Sequence, residues 1–240
     1  MKTFHHLIVN QIQESELQQL KGHCFVFPTK RGGVFFKRAL LQKYGHHDFM
    51  LPTIFSIEDF VQRMTGLSIT DELTLLFHLF KIYQKRDQDL EFDAFYAWGK
   101  VILKDYDEID RYLANAKQIY SDLQSIKEID HVFGYNDEFR EIIARFRTLT
   151  EKQDKTKLLT EFLKIWKEVG AVYEDFQGEL LKEEKAYGGM LYRNLASVLS
   201  QDHFEHPFDY YHFCGFNALS KSEEVIFDAL VKAKRAQLYW

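Results

Sequence analysis

The run Cys24-Phe25-Val26-Phe27-Pro28-Thr29-Lys30-Arg31-Gly32-Gly33, continuing as Val34-Phe35-Phe36-Lys37-Arg38-Ala39-Leu40-Leu41, decides the fold. Its first four residues are continuously apolar, the pattern of a strand covered on both faces. A short polar and basic turn follows, and two glycines at the bend permit close backbone approach or positive φ. The residues beyond it read as an amphipathic helix. Strand, basic turn and helix together are the opening unit of a parallel α/β sheet. The phosphate-gripping form of such a turn, G-x-x-x-x-G-K-[ST], occurs nowhere in the chain.

The same grammar returns near the other end. Tyr210-Tyr211-His212-Phe213-Cys214-Gly215-Phe216 reads as a strand, Ser222 to Lys232 as a helix, and Ala236–Trp240 as a further strand. Met50–Phe55 is a weaker strand candidate. Pro28, Pro52 and Pro207 are the only prolines, so residues 53–206 are free of that breaker. The apolar period there is helical: Leu73, Leu76, Phe77, Phe80 and Tyr83 form one predicted face, and Leu159, Phe162, Leu163, Trp166, Val169 and Tyr173 another. Ser56 stands before Ile57-Glu58-Asp59 in capping-box spacing, while Gly66, Gly134, Gly170 and Gly188-Gly189 are predicted breaks. Residues 1–22 read as one helix with Phe4, Leu7, Ile8 and Ile12 on a face. The expected fold class is therefore α/β. A parallel sheet is drawn from residues 1–66 and 205–240, with an all-helical insertion at 67–204. Because Leu238-Tyr239-Trp240 falls within a predicted strand, the chain is expected to be the N-terminal piece of a longer protein.

Bulk composition narrows the function classes. The 240 residues are 46% hydrophobic and 28% charged, which argues for a folded globular protein rather than a disordered one. With 22 Phe and 13 Tyr, the core is expected to be built from large rings. A net charge of −5 argues against indiscriminate coating of nucleic acid. The charge is uneven, however: Lys21, Lys30, Arg31, Lys37, Arg38 and Lys43 fall in a stretch without any Asp or Glu. Cys24 and Cys214 each sit in an apolar run and read as reduced core residues of a cytoplasmic protein. No apolar run approaches a membrane span, so no membrane partner is expected.

Other chemistry-bearing residue types point to bland roles. Asp105, Asp107, Glu108 and Asp110 spread around a helix axis, so a solvated face or pairing with Lys104 and Arg111 is expected rather than a metal. His5-His6, His46-His47 and the pair His203 and His206 lack neighbouring cysteines or an H-E-x-x-H helix. Glu183-Glu184-Lys185 contains the E-x-K half of a nuclease core without the hairpin Asp that core requires. Tyr187 is either a stacking surface for a base or core packing at a helix start.

Five blocks in order carry a family resemblance. Phe27-Pro28-Thr29-Lys30-Arg31-Gly32-Gly33-Val34-Phe35-Phe36-Lys37 resembles the FPNRRAGLFFKK-like opening of AddB-type helicase–nucleases of Bacteroidetes, commonly described as PD-(D/E)XK nuclease family proteins. Ile54-Phe55-Ser56-Ile57-Glu58-Asp59-Phe60-Val61 is similar to their ILSIEDFV block, and Asp105–Leu113 to DFDDVDKYL. Ala186-Tyr187-Gly188-Gly189-Met190-Leu191-Tyr192-Arg193 resembles AYEGMLYR, and Gly215-Phe216-Asn217-Ala218-Leu219-Ser220 resembles GFNALS.

The resemblance implies a degenerate RecA-like domain of the UvrD type, in which Lys30 and Arg31 occupy a turn that touches single-stranded DNA. It also implies that Gly215 and Phe216 stand where an active helicase carries Asp-Glu, and neither can ligate Mg²⁺ or accept a proton. The expected function is a non-catalytic segment of a recombination and repair nuclease that engages single-stranded or end-processed DNA. Its DNA-binding candidates are Thr29, Lys30, Arg31, Lys37, Ser56 and Tyr187. No catalytic residue, cofactor or metal is expected within it. Its partners would be the remaining C-terminal chain and an AddA-like helicase subunit. The rival expectation is a helical protein-interaction module without DNA contact.

Overall fold

A computed structural model describes residues 3–122, 155–201 and 204–240. The chain divides into two compact units, one from residues 1–69 and 190–240, the other from 70–189.

The first unit is built on four parallel strands: β1 (His23–Phe27), β2 (Thr53–Ser56), β3 (Tyr210–Cys214) and β4 (Ala236–Tyr239), in the order β2-β1-β3-β4. Phe25 stands opposite Ile54 on one side and His212 on the other, and Phe213 stands opposite Leu238. Both ends of the sequence thus contribute strands to one parallel sheet in a mixed α/β fold. The connection β1 to β2 runs through α2 (Lys30–Tyr44), and β3 to β4 through α9 (Lys221–Lys232). These crossovers travel in opposite directions along the sheet, so a common right hand puts their helices on opposite faces. That is the arrangement found. Phe36 of α2 stacks on Phe25 with centroids 4.5 Å apart, while Phe227 of α9 stacks on Phe213 at 3.9 Å.

Alternation along each strand supplies both cores. On one face Phe25, Phe27 and Cys214 meet Ile8 and Val9 of α1 (Phe4–Gln11), Leu17 and Leu20 of a 3-10 helix (Glu14–Gly22), and Phe36 and Leu40 of α2. On the other, Phe60 of α3 (Ile57–Thr65) packs edge-on against Tyr211 at 5.8 Å and Phe213 at 5.6 Å. Each such ring, fully buried, contributes about 1.5–3 kcal/mol of transfer free energy. Residues 4–22 are not one helix. Ile12 turns extended, Leu7 is exposed, and the apolar contact is made by Ile8 and Val9. Ser56 caps α3 as its spacing predicts, accepting from the Asp59 amide at 3.2 Å, and Gly66 ends the helix at φ +71°.

The second unit holds α4 (Glu72–Gln84), α5 (Phe92–Arg111), α6 (Ala116–Asp122) and α7 (Lys155–Lys182). Its α4 buries Leu75, Leu76, Leu79, Ile82 and Tyr83; of the predicted face Leu76 and Tyr83 are buried and Phe80 half-buried, while Leu73 and Phe77 are exposed. Of the predicted α7 face, Val169 and Tyr173 are buried, and the earlier side chains lie outside the described residues. Gly170 does not break α7. It lies within the helix, where a Cβ would come 3.2 Å from Cβ of Tyr120 on α6. The boundary at 189/190 falls inside α8 (Gly188–Leu199), so most of that helix groups with the sheet rather than with the insertion. Gly134 lies outside the described residues.

Candidate nucleic-acid interface

The basic turn leaves the carboxyl end of β1, a central strand. Strand order reverses between β1 and β3, and in open parallel sheets ligands seat outside the carboxyl ends at such a point. Here that place is taken by rings of α1. A Cβ on Gly215, which follows β3 at φ +75°, would lie 3.0 Å from Phe4 Cε1. The His5 ring sits 5.9 Å from Phe27, the last residue of β1. Phe4 and His5 fill with aromatic carbon the site where a doubly wound sheet holds phosphates.

The basic residues lie just outside this plug, on α2. Thr29 is its N-cap residue but makes no side-chain capping hydrogen bond, and no acid occupies the first turn. Positive side chains at that end oppose the helix dipole, so their placement is unfavourable unless an anion joins them. Thr29, Lys30, Arg31, Lys37 and Arg38 are all exposed. Along α2 the cations divide between two flanks. Lys30, Val34, Lys37 and Leu41 run down the side facing β2, where the residues lining a cleft of ≈ 390 Å³ include Lys30, Lys37, Leu51, Ile54, Phe55 and Ser56. Arg31, Phe35, Arg38 and Gln42 follow at i, i+4, i+7 and i+11 on the side facing α1.

The flanks differ in charge balance. Lys30 Nζ is 3.1 Å from Asp59 Oδ1, and Asp59 also accepts from Ser56 Oγ at 2.6 Å. That Ser56 bond, then the Lys30 ammonium, holds the Asp59 carboxyl below its usual range. Lys30 is 76% exposed, so this ion pair contributes little to stability. Among the described residues no carboxylate pairs with Arg31 or Arg38, and Arg31 Cζ lies 5.5 Å over the Phe35 ring.

Two candidates do not join the surface. Ser56 is 5% exposed and its hydroxyl is committed to the α3 cap. Tyr187 is 3% exposed and lies in the other unit, stacked on Phe176 at 5.9 Å, with its hydroxyl donating to Asp110 Oδ2. No ring face is left for a base, because a buried phenol is satisfied by burying both its ring and its hydroxyl.

The acidic cluster makes the expected pairings with Lys104 and Arg111, but Asp110 departs from a solvated face. Asp110 is fully buried and accepts from Tyr173 and Tyr187 hydroxyls, each at 2.5 Å, and from Gln177 Nε2 at 2.9 Å. Asp107 takes the Gly189 amide and Arg111 Nε at 2.7 Å, and Lys104 pairs with Glu108 at 3.7 Å. Burial, with Glu108 beside it, pushes Asp105 up to about 6. These carboxylates tie α5 to α7 and to residues 187–189. Among the described residues no three His, Cys, Asp or Glu side chains gather as a metal site, and no helix is long and apolar enough to cross a membrane. Sequence reasoning missed Phe35, Arg38 and His5 as members of the surface. The Arg31–Phe35–Arg38–Gln42 spacing was the available signal. Compared with models of known protein families and with the curated proteins, the chain matches none.

Proposed function

We propose that the chain is a non-catalytic, helicase-like segment of a DNA recombination and repair nuclease, engaging single-stranded DNA through α2. In this reading the sheet is a degenerate RecA-like framework of the AddB type. It shapes a path for the strand and docks the rest of the complex, the C-terminal chain and an AddA-like helicase subunit, in the cytoplasm. The observation that carries it is the exposed cationic helix: Thr29, Lys30 and Arg31 at the uncapped start of α2 and Lys37 and Arg38 two turns on, with no acid from Lys21 to Lys43. The aromatic plug of Phe4 and His5 supports a framework that works without nucleotide.

Fluorescence anisotropy with a labelled single-stranded oligonucleotide, titrated with salt, tests the reading. Lys30→Ala and Arg31→Ala are each expected to weaken binding to all sequences and to reduce the salt slope by about one unit. Arg31→Ala is expected to cost more, since Lys30 already has Asp59 beside it. Slopes unchanged in both variants would count against α2 as the interface. A second reading, docking of a protein without DNA contact, is favoured by the exposed Val34, Leu41, Met50 and Leu51 of the same unit. It stands if the chain shows no salt-dependent binding of DNA.

A further inference from the structure

Between α1 and α2 lies a cavity of ≈ 490 Å³ lined by Phe4, His5, His6, Phe35, Arg38 and Gln42. Phe35 is 43% exposed although it is a large ring on a helix whose other rings, Phe36 and Tyr44, are buried. It stands one turn beyond Arg31, whose guanidinium lies over it, and its centroid is 5.9 Å from the His5 ring. Proteins that hold single strands combine cations that follow the backbone with aromatic faces on which bases stack. The flank facing β2 also carries a ring, Phe55, but that ring is half-buried and packed edge-on against Phe208 at 6.2 Å, whereas Phe35 is exposed beside an arginine with no carboxylate partner among the described residues.

The geometry points to this cavity as a subsite for one unpaired nucleobase, stacked on Phe35 beside His5, with the adjoining phosphate at Arg31 and Arg38. The inference rests on the proposed engagement of single-stranded DNA. Burial, followed by the neighbouring His6, holds His5 below the usual imidazole value. At neutral pH it therefore offers an uncharged ring. Stacking of this kind tolerates every base, because each has a π-face, so discrimination among sequences is weak.

A single-stranded oligonucleotide carrying 2-aminopurine reports stacking directly, since the fluorescence of that base is quenched on an aromatic face. The chain is expected to quench it on binding. Phe35→Leu keeps the apolar bulk but removes the π-face, and is expected to lose the quenching and roughly tenfold in affinity. Phe35→Trp restores both. Val34→Ala, a change on the opposite flank at a residue 66% exposed, leaves both unaltered. Arg31→Ala keeps quenching at saturation while its salt slope falls. Quenching by Phe35→Leu equal to that of the unaltered chain, or none by either, overturns the subsite while salt-dependent binding preserves the broader reading. Absence of any binding at low salt overturns both.

Discussion

His212 sits in the middle of the sheet and is 8% exposed, its ring stacked on Phe25 at 4.1 Å. Tyr239 donates to Gln237 Oε1 at 3.2 Å, so His212 Nδ1 donates to the Tyr239 oxygen at 3.1 Å. His212 Nε2 is then left to accept from His23 Nδ1 at 3.0 Å. One chain of hydrogen bonds thus crosses β1, β3 and β4, and it requires a neutral His212. Burial, then the neighbouring His23, pushes His212 down to about 3. Asp209 and Glu16 face His23 and oppose its own downward shift, and Glu16, Cys214 and Tyr210 face Tyr239. The sign follows from linkage. The unfolded chain takes up a proton at His212 below its ordinary value, whereas the folded chain does not, so stability is full above that value and falls as pH drops toward the folded one. Between pH 7 and pH 5 this residue alone is expected to remove about 2 kcal/mol. Chemical denaturation across that range should show the loss, and His212→Gln should flatten it. An unchanged slope in the variant would place the acid sensitivity elsewhere. None of this chain was legible in the sequence. A histidine in an apolar strand declares its burial, but its partners lie 189 and 27 residues away.

Elements were legible where their ends carry local chemistry. Helix α9 begins at a capping box, with Ser220 accepting from the Glu223 amide and Glu223 taking the Ser220 amide at 2.8 Å, and the sequence placed it to within a residue. Helix α4 shows the opposite case. Its sequence is apolar nearly all round, so periodicity grouped the exposed Leu73 and Phe77 with the buried Leu76 and Tyr83 and passed over the buried Leu75, Leu79 and Ile82. Gly170 misled because its purpose is packing: a missing side chain admits Tyr120, and helical propensity yields to that contact. The clasp of α5 on α7 was hidden for the same reason, since Asp110 looks like one of four surface acids until Tyr173, Gln177 and Tyr187 close on it. Removing one of its donors by Tyr173→Phe is expected to destabilise the chain by about 1–3 kcal/mol, the range for depriving a buried acceptor of a hydrogen bond. Thermal unfolding measures it; a change within a few tenths would mean that the clasp contributes nothing net.

Across the whole molecule, the parallel sheet drawn from both ends could be anticipated because strand–helix–strand order recurs at each terminus. The surface could be anticipated only in part. Charge is visible as composition, and Lys30, Arg31 and Lys37, singled out by it, are exposed. Exposure of an aromatic is not visible in composition, so Tyr187 was named as a candidate although it is buried, while Phe35, exposed beside Arg31, was not. The deciding question is therefore where on the chain a single strand lies. Amide hydrogen exchange of the protein with and without a single-stranded oligonucleotide measures that directly. Added protection is expected in residues 3–11 and 29–42, the two sides of the α1–α2 flank, with residues 70–122 and 168–189 unaffected. Protection confined to the helical unit, or none at oligonucleotide concentrations that saturate binding, would contradict it.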